Sequence, residues 1–364
     1  MRLTCQQDEL ARALQIVSRG IAQRTSLPIL TCVSLTAEDE RLLARGTDLE
    51  VAVECLLPAS VKMPGTAVVS GKTLTEFVRR LPPGPIEVSF DQETKNLRVD
   101  AAKASIQLPV MPAEEFPVFP APTGGVEFRL PAVLLREMIR QTIFATLSED
   151  SRPFLSSILW EVTEERLRLV STDINRLALR ETEVEASGVT KGLIPVRALR
   201  EGMAVFADEE EEGVVVLFGA KQVFFTGGGV TFSSRLVEAE FPQYEQVIPT
   251  RFAAEMVVDR EALIAGLERA ALVTETVKLT VTNGLLYLRG DDATLGQTFE
   301  ELGVTSTGED LQIVFSPHYL LEFLKVAPGD QVRFSFTGPT DRALLRPLDG
   351  EYYRYVVMPY QVNF

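Results

Sequence analysis

Apolar residues along the chain follow two periods, one typical of helices and one typical of strands. Leu10, Leu14 and Val17 lie four and three residues apart, which places them on one helical face, and Asp8 is the expected N-cap. The segments that follow alternate with the period of two that indicates strands, namely "ILTCVSLTAE", "RLLARGT" and "LEVAVECLL". The order then returns as a strand "TAVVS", a helix "KTLTEFVRRL" that Pro82-Pro83 ends, and three more strands. The pattern predicts one strand, one helix and three strands, written twice.

This double unit occurs three times. Repeats of more than a hundred residues are whole domains rather than solenoid units of about 20 to 50 residues. Matching pairs lie 125 residues apart, namely Thr47-Asp48 and Thr172-Asp173, Met111-Pro112 and Leu236-Val237, and Phe116-Pro117 and Phe241-Pro242. In all three copies an apolar strand residue precedes a helix leucine by seven positions, as in Leu3 and Leu10, Phe128 and Leu135, and Met256 and Leu263.

The repeats predict three domains, 1–122, 123–249 and 250–364. Pro and Gly in "FPAPTGG" and "VIPTRF" mark the linkers between them. Six helices and many antiparallel strands make the fold class α+β.

Charge is distributed unevenly. The formal net charge is −15, which by itself argues against nucleic acid as a partner. The acids gather in turns, whereas basic residues concentrate in the predicted helices, namely Arg12, Arg19, Lys72, Arg79, Arg80, Arg136, Arg140, Arg197 and Arg200. If the helices line one surface, an acidic protein presents a positive interior. The alternative is that these arginines lie on ordinary solvated faces.

The N-terminal segment and the cysteines predict a cytoplasmic protein. "MRLTCQQDELARAL" lacks the basic-then-apolar plan of a signal peptide, and no apolar run reaches the length needed to span a membrane. The chain has three cysteines, an odd number, and no CxxC pair. We expect Cys5, Cys32 and Cys55 to be small buried apolar residues.

Several motifs in order resemble the bacterial DNA polymerase III β subunit family, the sliding clamps. The resemblance covers the entire chain and rests on "TSLPIL", "GTDLE", "STDINRLA", "EFPQY" and "YVVMP" together with the threefold repeat. It implies the DNA clamp fold, in which a head-to-tail homodimer forms a six-domain ring with helices inside. It also implies a processivity factor, not an enzyme, without cofactor or metal.

A geometric estimate independent of the resemblance sets the number of copies in such a ring. Six helices, each about 10 Å wide, enclose a hole of only about 9 Å, whereas twelve leave about 28 Å. Duplex DNA, roughly 20 Å wide, passes only the larger hole. A ring of this chain around DNA is therefore at least dimeric.

The resemblance assigns residues to two surfaces. The positions that correspond to DNA contacts are Arg24, Lys72, Glu149, Pro153 and Phe154. The positions that correspond to the dimer interface are Lys103, Ile106, Leu108, Leu272, Val273, Glu300 and Glu301. Ile106 and Leu108 share one strand face, so the residues alone allow them to be core instead.

The resemblance also implies an apolar pocket for short peptides of the polymerase III catalytic subunit, the clamp loader, other polymerases and repair proteins. A junction pocket with a flexible methionine suits several peptide ligands. The alternative for Met358 is that it packs in the hydrophobic core rather than in the pocket. Ile174-Asn175 replaces a Gly-His pair of many clamps, and the tail after Pro359 is longer. The corresponding positions are Leu155, Thr172, Ile174, Asn175, Arg176, Leu177, Pro242, Val247, Arg342, Val357, Met358, Pro359 and Tyr360.

Two other function classes compete with a clamp. "SGKT" has Thr66 where a phosphate-binding loop needs its first glycine, and the single His318 cannot form a zinc-binding His pair. Asp48 and Asp173, which the repeat relates, favour a structural turn but leave a metal-dependent nuclease open. An acidic scaffold that never touches DNA is the third hypothesis, and the arginines on the helices argue against it.

Overall fold

The computed structural model describes residues 1–147, 152–207 and 213–360. These residues form six α-helices and 26 β-strands. Within the described part, no helix combines the length and the apolar character needed to cross a membrane. The helices are α1 (Gln7–Val17), α2 (Gly71–Arg79), α3 (Ala132–Ile143), α4 (Val196–Val205), α5 (Arg260–Ala271) and α6 (Pro317–Leu324).

The chain separates into two compact units. The first contains Met1–Leu135, Ala186–Gly188 and Arg197–Leu236, and the second contains the described residues of 136–185, 189–196 and 237–360. Both units draw on the predicted middle domain. The three-domain division at 122 and 249 remains a prediction.

The first unit holds two sheets. In spatial order, the five-stranded sheet consists of β5 (Ser60–Met63), β1 (Arg2–Gln6), β7 (Pro85–Asp91), β8 (Asn96–Ala101) and β9 (Ala104–Pro109). The eight-stranded sheet consists of β10 (Val126–Leu130), β15 (Val214–Phe218), β16 (Gln222–Gly227), β17 (Val230–Arg235), β4 (Val51–Pro58), β3 (Arg41–Thr47), β2 (Cys32–Glu38) and β6 (Gly65–Ser70).

The second unit also holds two sheets. The nine-stranded sheet consists of β14 (Thr190–Pro195), β11 (Ser157–Val162), β12 (Arg166–Thr172), β13 (Arg176–Glu183), β26 (Tyr353–Val357), β25 (Ala343–Pro347), β24 (Gln331–Phe336), β18 (Ala254–Asp259) and β22 (Thr305–Gly308). The four-stranded sheet consists of β21 (Gly296–Gly303), β20 (Leu285–Asp292), β19 (Val277–Thr282) and β23 (Leu311–Phe315).

The element order confirms the sequence pattern of one strand, one helix and three strands. Each helix follows one strand and precedes three that form a meander, and this occurs six times among the described residues. Only β5 and β22 are additions. The meanders pair side by side at two junctions, where β4 meets β17 and β13 meets β26. Strands β9 and β21 remain at sheet edges.

The helices begin with different caps. Helix α1 starts at Gln7 with Gln6 as N-cap and no side-chain cap hydrogen bond, so the expectation that Asp8 caps it is wrong. The cause is that β1 runs directly into the helix, which leaves Asp8 inside its first turn. At the start of α2 the Ser70 hydroxyl accepts a hydrogen bond from the Thr73 amide at 3.4 Å. At the start of α5 the Asp259 carboxylate accepts one from the Ala262 amide.

Two glycines let a helix lie close to a strand. A Cβ on Gly46 in β3 would lie 2.5 Å from the Val17 carbonyl oxygen at the end of α1. A Cβ on Gly290 in β20 would lie 2.6 Å from the Thr274 Cγ2, just beyond α5. Each glycine lies in the second strand of its meander, two residues before Asp48 or Asp292. Gly46 and Gly290 are therefore equivalent positions, and they show how β3 of the first repeat aligns with β20 of the third.

Isolated bridges revise one detail of the sequence repeat. Met111 bridges Val68, and the residue that bridges Leu193 in the second copy is Val237. Since Val68 and Leu193 are 125 residues apart, Met111 corresponds to Val237 rather than to Leu236. The residues of hairpin β16–β17 are shifted by the same one position relative to those of hairpin β8–β9. The sequence repeat did not reveal this shift.

Candidate ligand pocket of the second unit

A cavity of about 190 Å³ lies in the second unit, where β13 pairs with β26. Its walls are mostly apolar and come from the turn before β13, the segment after β17 and the end of β26. The lining residues are Phe154, Thr172, Ile174, Asn175, Arg176, Leu177, Phe241, Pro242, Tyr244, Val247, Val356 and Met358.

Hydrogen bonds fix the turn at one side of the cavity. The Asp173 Oδ1 accepts from the amides of Asn175 and Arg176, both at 3.0 Å, and the Thr172 hydroxyl accepts from the Ile174 amide at 3.1 Å. Asp and Thr favour such turns because their side chains can bond to the backbone two residues on. Ile174 thereby takes a φ of 81°, which is unusual for a β-branched residue.

The guanidinium group of Arg176 is buried and fully engaged behind this turn. Its Nε donates to Asp173 at 2.8 Å, its Nη1 to Glu322 at 2.5 Å and its Nη2 to the Phe144 carbonyl at 2.7 Å. The group also lies 4.3 Å from the ring centre of Tyr319. The positive charge of Arg176 is thus neutralised by two carboxylates behind the wall, and each of its three nitrogens already donates one hydrogen bond.

Aromatic rings form the opposite wall. Phe241 meets Phe154 and Tyr244 edge to face, each with ring centres 6.1 Å apart. The Tyr244 hydroxyl donates to Glu161 at 2.5 Å and accepts from Arg168 at 3.0 Å. Burial, and next the bond to Glu161, raises the pKa of Tyr244 above its ordinary value, so the phenol stays neutral. The cavity can therefore take apolar, uncharged side chains.

Comparisons with known proteins identify the family. Models of the N-terminal, central and C-terminal domains of the DNA polymerase III beta subunit match residues 1–120, 129–243 and 245–361. The beta sliding clamp of Pseudomonas aeruginosa is 31% identical over 99% of both chains. The chain belongs to the DNA polymerase III beta subunit family. The beta sliding clamp of Bacillus subtilis is 28% identical over 99% of both chains.

Solved structures of this family share the fold over the full length of both chains. The DNA polymerase sliding clamp from Bacillus subtilis superposes with a TM-score of 0.96 at 28% identity. The DNA polymerase III subunit beta from Pseudomonas aeruginosa gives 0.95 at 30% identity. The DNA clamp fold that the sequence resemblance implied is thus confirmed.

Eight of the positions predicted for the family's peptide pocket line the cavity, namely Thr172, Ile174, Asn175, Arg176, Leu177, Pro242, Val247 and Met358. Leu155 is fully buried beside Phe154. Arg342 donates to the Val247 carbonyl at 3.1 Å and so supports the rim. Pro359 and the half-exposed Tyr360 follow Met358 in the chain, and the Tyr360 amide donates to the Val314 carbonyl.

Val357 does not line the cavity. Side chains alternate along β26, so Val356 faces the cavity while Val357 packs into the core with α5 and α6. Val356, Phe241 and Tyr244 are the lining residues that the sequence reasoning assigned to no site, and Phe154 is a fourth, which it assigned to DNA contact. The repeated Phe-Pro pair pointed to Phe241, and strand alternation could have selected Val356.

The predicted DNA-binding residues lie in different settings. Arg24, Lys72 and Pro153 are exposed, with Lys72 in the first turn of α2. Phe154 also lines the cavity, where its ring packs on Phe241. Glu149 lies outside the described residues.

The predicted dimer residues lie on and beside the two edge strands. On β9, Ile106 is half-buried, whereas Leu108 is already 95% covered by its own chain. Leu272, at the end of α5, is 78% exposed, and Val273 follows it. Three members of the set are charged. Lys103 is exposed and directly precedes β9, and Glu300 and Glu301 lie on β21. Glu300 forms an ion pair with Arg269 of its own chain at 2.5 Å.

The two repeat-related aspartates hold turns. Asp48 accepts from the amides of Glu50 and Val51 as Asp173 does from its own neighbours, and Asp48 also pairs with Arg197. Across the described ranges, no three His, Cys, Asp or Glu side chains form a candidate metal-binding group.

Proposed function

We propose that this chain is a DNA sliding clamp, a homodimeric ring that encircles duplex DNA and tethers the replicative DNA polymerase. Membership of the DNA polymerase III beta subunit family supports the proposal, and one structural observation carries it. Two edge strands, β9 and β21, occupy the same places in their meanders as the strands that pair at the two junctions.

The two junctions share one register. Val51 of β4 lies opposite Ser234 of β17, and Arg176 of β13 lies opposite Val357 of β26. Since Val51 and Arg176 are 125 residues apart, the junctions are copies of each other. Strands β9 and β21 are the third strands of their meanders that pair with no other meander among the described residues. Because exposed strand edges favour pairing, β9 of one chain and β21 of a second copy could form a third junction of the same kind.

The register of this third junction follows from equivalent positions. Ile106 of β9 corresponds to Phe232, which lies opposite Val53 at the first junction. Thr298 corresponds to Val53, because it lies opposite Gly290 as Val53 lies opposite Gly46. Ile106 should therefore face Thr298 of the second copy.

The same comparison supports a place for Lys72 at the third junction. At the first junction the exposed Arg197, at the start of α4, pairs with Asp48 of the turn before β4. Lys72 occupies the matching position on α2, and Asp292 forms the matching turn by accepting from the amides of Thr294 and Leu295. We expect Lys72 to pair with Asp292 of the second copy, besides its proposed contact with DNA.

Two copies supply the twelve helices that a DNA-sized hole requires by the estimate above. Contacts to backbone phosphates would carry little base information, and few of them would keep the affinity for any one position low enough for sliding. The work is therefore tethering rather than bond making.

The cavity of the second unit is the proposed docking site for partner peptides. Its apolar lining and the exposed Met358 suit short segments of the polymerase III catalytic subunit, the clamp loader, other polymerases and repair proteins.

A topology test distinguishes a ring from other DNA-binding proteins. The protein is loaded by the clamp loader on nicked circular plasmid and passed through gel filtration in high salt, which removes contacts that depend on phosphate charge. Retention on the circle, with release after a single cut, is the expected result. Equal retention on circular and linear DNA, or none on either, would contradict a ring.

A further inference from the structure

Ile174 combines two unfavourable features in the isolated chain. Its φ of 81° is a left-handed conformation that glycine adopts freely and β-branched residues rarely adopt. Its apolar side chain is 57% exposed at the edge of the cavity that it lines. The exposed apolar side chain gains little from the folded chain alone, and it becomes useful if it contacts a ligand.

A second copy of this turn shows which feature matters. Leu49 has a φ of 79°, is 43% exposed and donates its amide to the Thr47 hydroxyl at 3.0 Å. The backbone conformation is therefore a property of the turn in both repeats. What singles out Ile174 is its place on the cavity wall, whose lining residues all belong to the second unit.

The cavity wall around Ile174 is mostly apolar, and the charged residue that lines it, Arg176, is paired with two carboxylates. Met358 is the other exposed large apolar residue on the cavity wall, with 38% of its surface exposed. The Met358 amide donates to the Asn175 carbonyl at 2.9 Å, which ties the two walls together. The Asn175 side chain is neutral, and the Arg176 guanidinium is engaged by Asp173, Glu322 and the Phe144 carbonyl.

We propose that Ile174 is a specificity-determining residue for partner peptides. Together with Met358 it forms the solvent-exposed apolar part of the cavity wall. The matching ligand is an extended peptide segment with two uncharged apolar side chains, one filling the cavity and one lying on Ile174. This inference rests on the proposed function of the cavity as a peptide-docking site.

The test uses hexapeptides selected from a phage-displayed random library on the wild-type protein. The best peptide is labelled with fluorescein, and its Kd is measured by fluorescence anisotropy for wild type, Ile174→Gly, Ile174→Val, Leu49→Gly and Met358→Ala. Leu49→Gly is the matched control, because it makes the same backbone change in the equivalent turn. Thermal unfolding of each variant checks that it folds.

Ile174→Gly should weaken binding about tenfold, because it removes apolar area from the contact without unfolding the turn. Ile174→Val should stay within about twofold of wild type, and Leu49→Gly should leave the Kd unchanged. Replacing the peptide's outer apolar residue with alanine should weaken binding to wild type but not to Ile174→Gly.

Two results separate the inference from the proposal beneath it. If Met358→Ala weakens binding but Ile174→Gly does not, the role of Ile174 is wrong and the pocket stands. If neither variant changes the Kd, the peptides bind elsewhere, and both the pocket and the role of Ile174 are wrong.

Discussion

Individual side chains explain the chemistry of the second junction. Asn175 and Met358 border the cavity there, while the equivalent residues at the first junction, Glu50 and Arg235, form an ion pair at 3.9 Å. The backbone turn is the same in both repeats, so the choice of side chains replaces a charged junction with a mostly apolar cavity wall. The wall also contains the charged Arg176, whose guanidinium group is neutralised by ion pairs with Asp173 and Glu322.

Replacement of Met358 with alanine should weaken peptide binding about tenfold, or about 1.4 kcal/mol. The physical reason is the loss of an apolar side chain that is both exposed and part of the cavity wall. Anisotropy with a selected peptide measures this change. Dimerisation should not change, since Met358 lies outside β9 and β21, and equal loss of both properties would contradict the pocket assignment.

At the scale of elements, the edge strands are the most informative parts of the fold. A free strand edge exposes backbone groups that pair with another strand when one is available. Strand β21 also carries Phe299, which is 55% exposed, and α5 ends beside the exposed Leu272. These features agree with the proposed interface on the side of β21, whose register would follow that of the internal junctions.

Reversing one charge tests that register. Lys72→Glu should weaken the dimer about tenfold, because it places a second carboxylate beside Asp292 of the second copy, and like charges repel. Lys72 has no ion-pair partner among the described residues, so the variant should leave each chain folded. Analytical ultracentrifugation over a dilution series measures the dimer dissociation constant.

The double variant Lys72→Glu with Asp292→Lys should recover most of this loss. Lys62→Glu, on exposed β5, makes the same change in net charge and serves as the control. Failure of the double variant to recover the dimer would show that the two residues do not meet.

At the scale of the whole molecule, buried phenols link stability to pH. Burial is the largest cause that raises the pKa of Tyr244, Tyr353 and Tyr355 above the ordinary value of about 10. Below about pH 10 both the folded and unfolded chains keep these phenols neutral, and their contribution to stability is complete. Above it the unfolded chain releases protons that the folded chain retains, so stability falls as pH rises.

The thermal midpoint should therefore decrease between pH 8 and pH 11, with each buried phenol contributing up to about 1.4 kcal/mol per pH unit above pH 10. Tyr355→Phe should lower the midpoint at pH 8, because it removes the bond to the Tyr319 carbonyl, yet reduce the further loss at pH 11. Tyr360→Phe, at an exposed position, is the control. An unchanged alkaline loss in Tyr355→Phe would contradict this account.

The sequence by itself determined the repeating order of strands and helices, because hydrophobic period and chain punctuation are local properties. The resemblance of its motifs to those of the family also located most of the cavity lining, including Thr172 and Pro242, because these residues lie in motifs that can be matched along the chain. Tertiary structure alone decided that Val356 rather than Val357 lines the cavity, that Phe154 belongs to its wall, and that Met111 matches Val237. Each of these depends on how distant strands align, and a shift of one residue changes the face to which a side chain points without changing the local pattern.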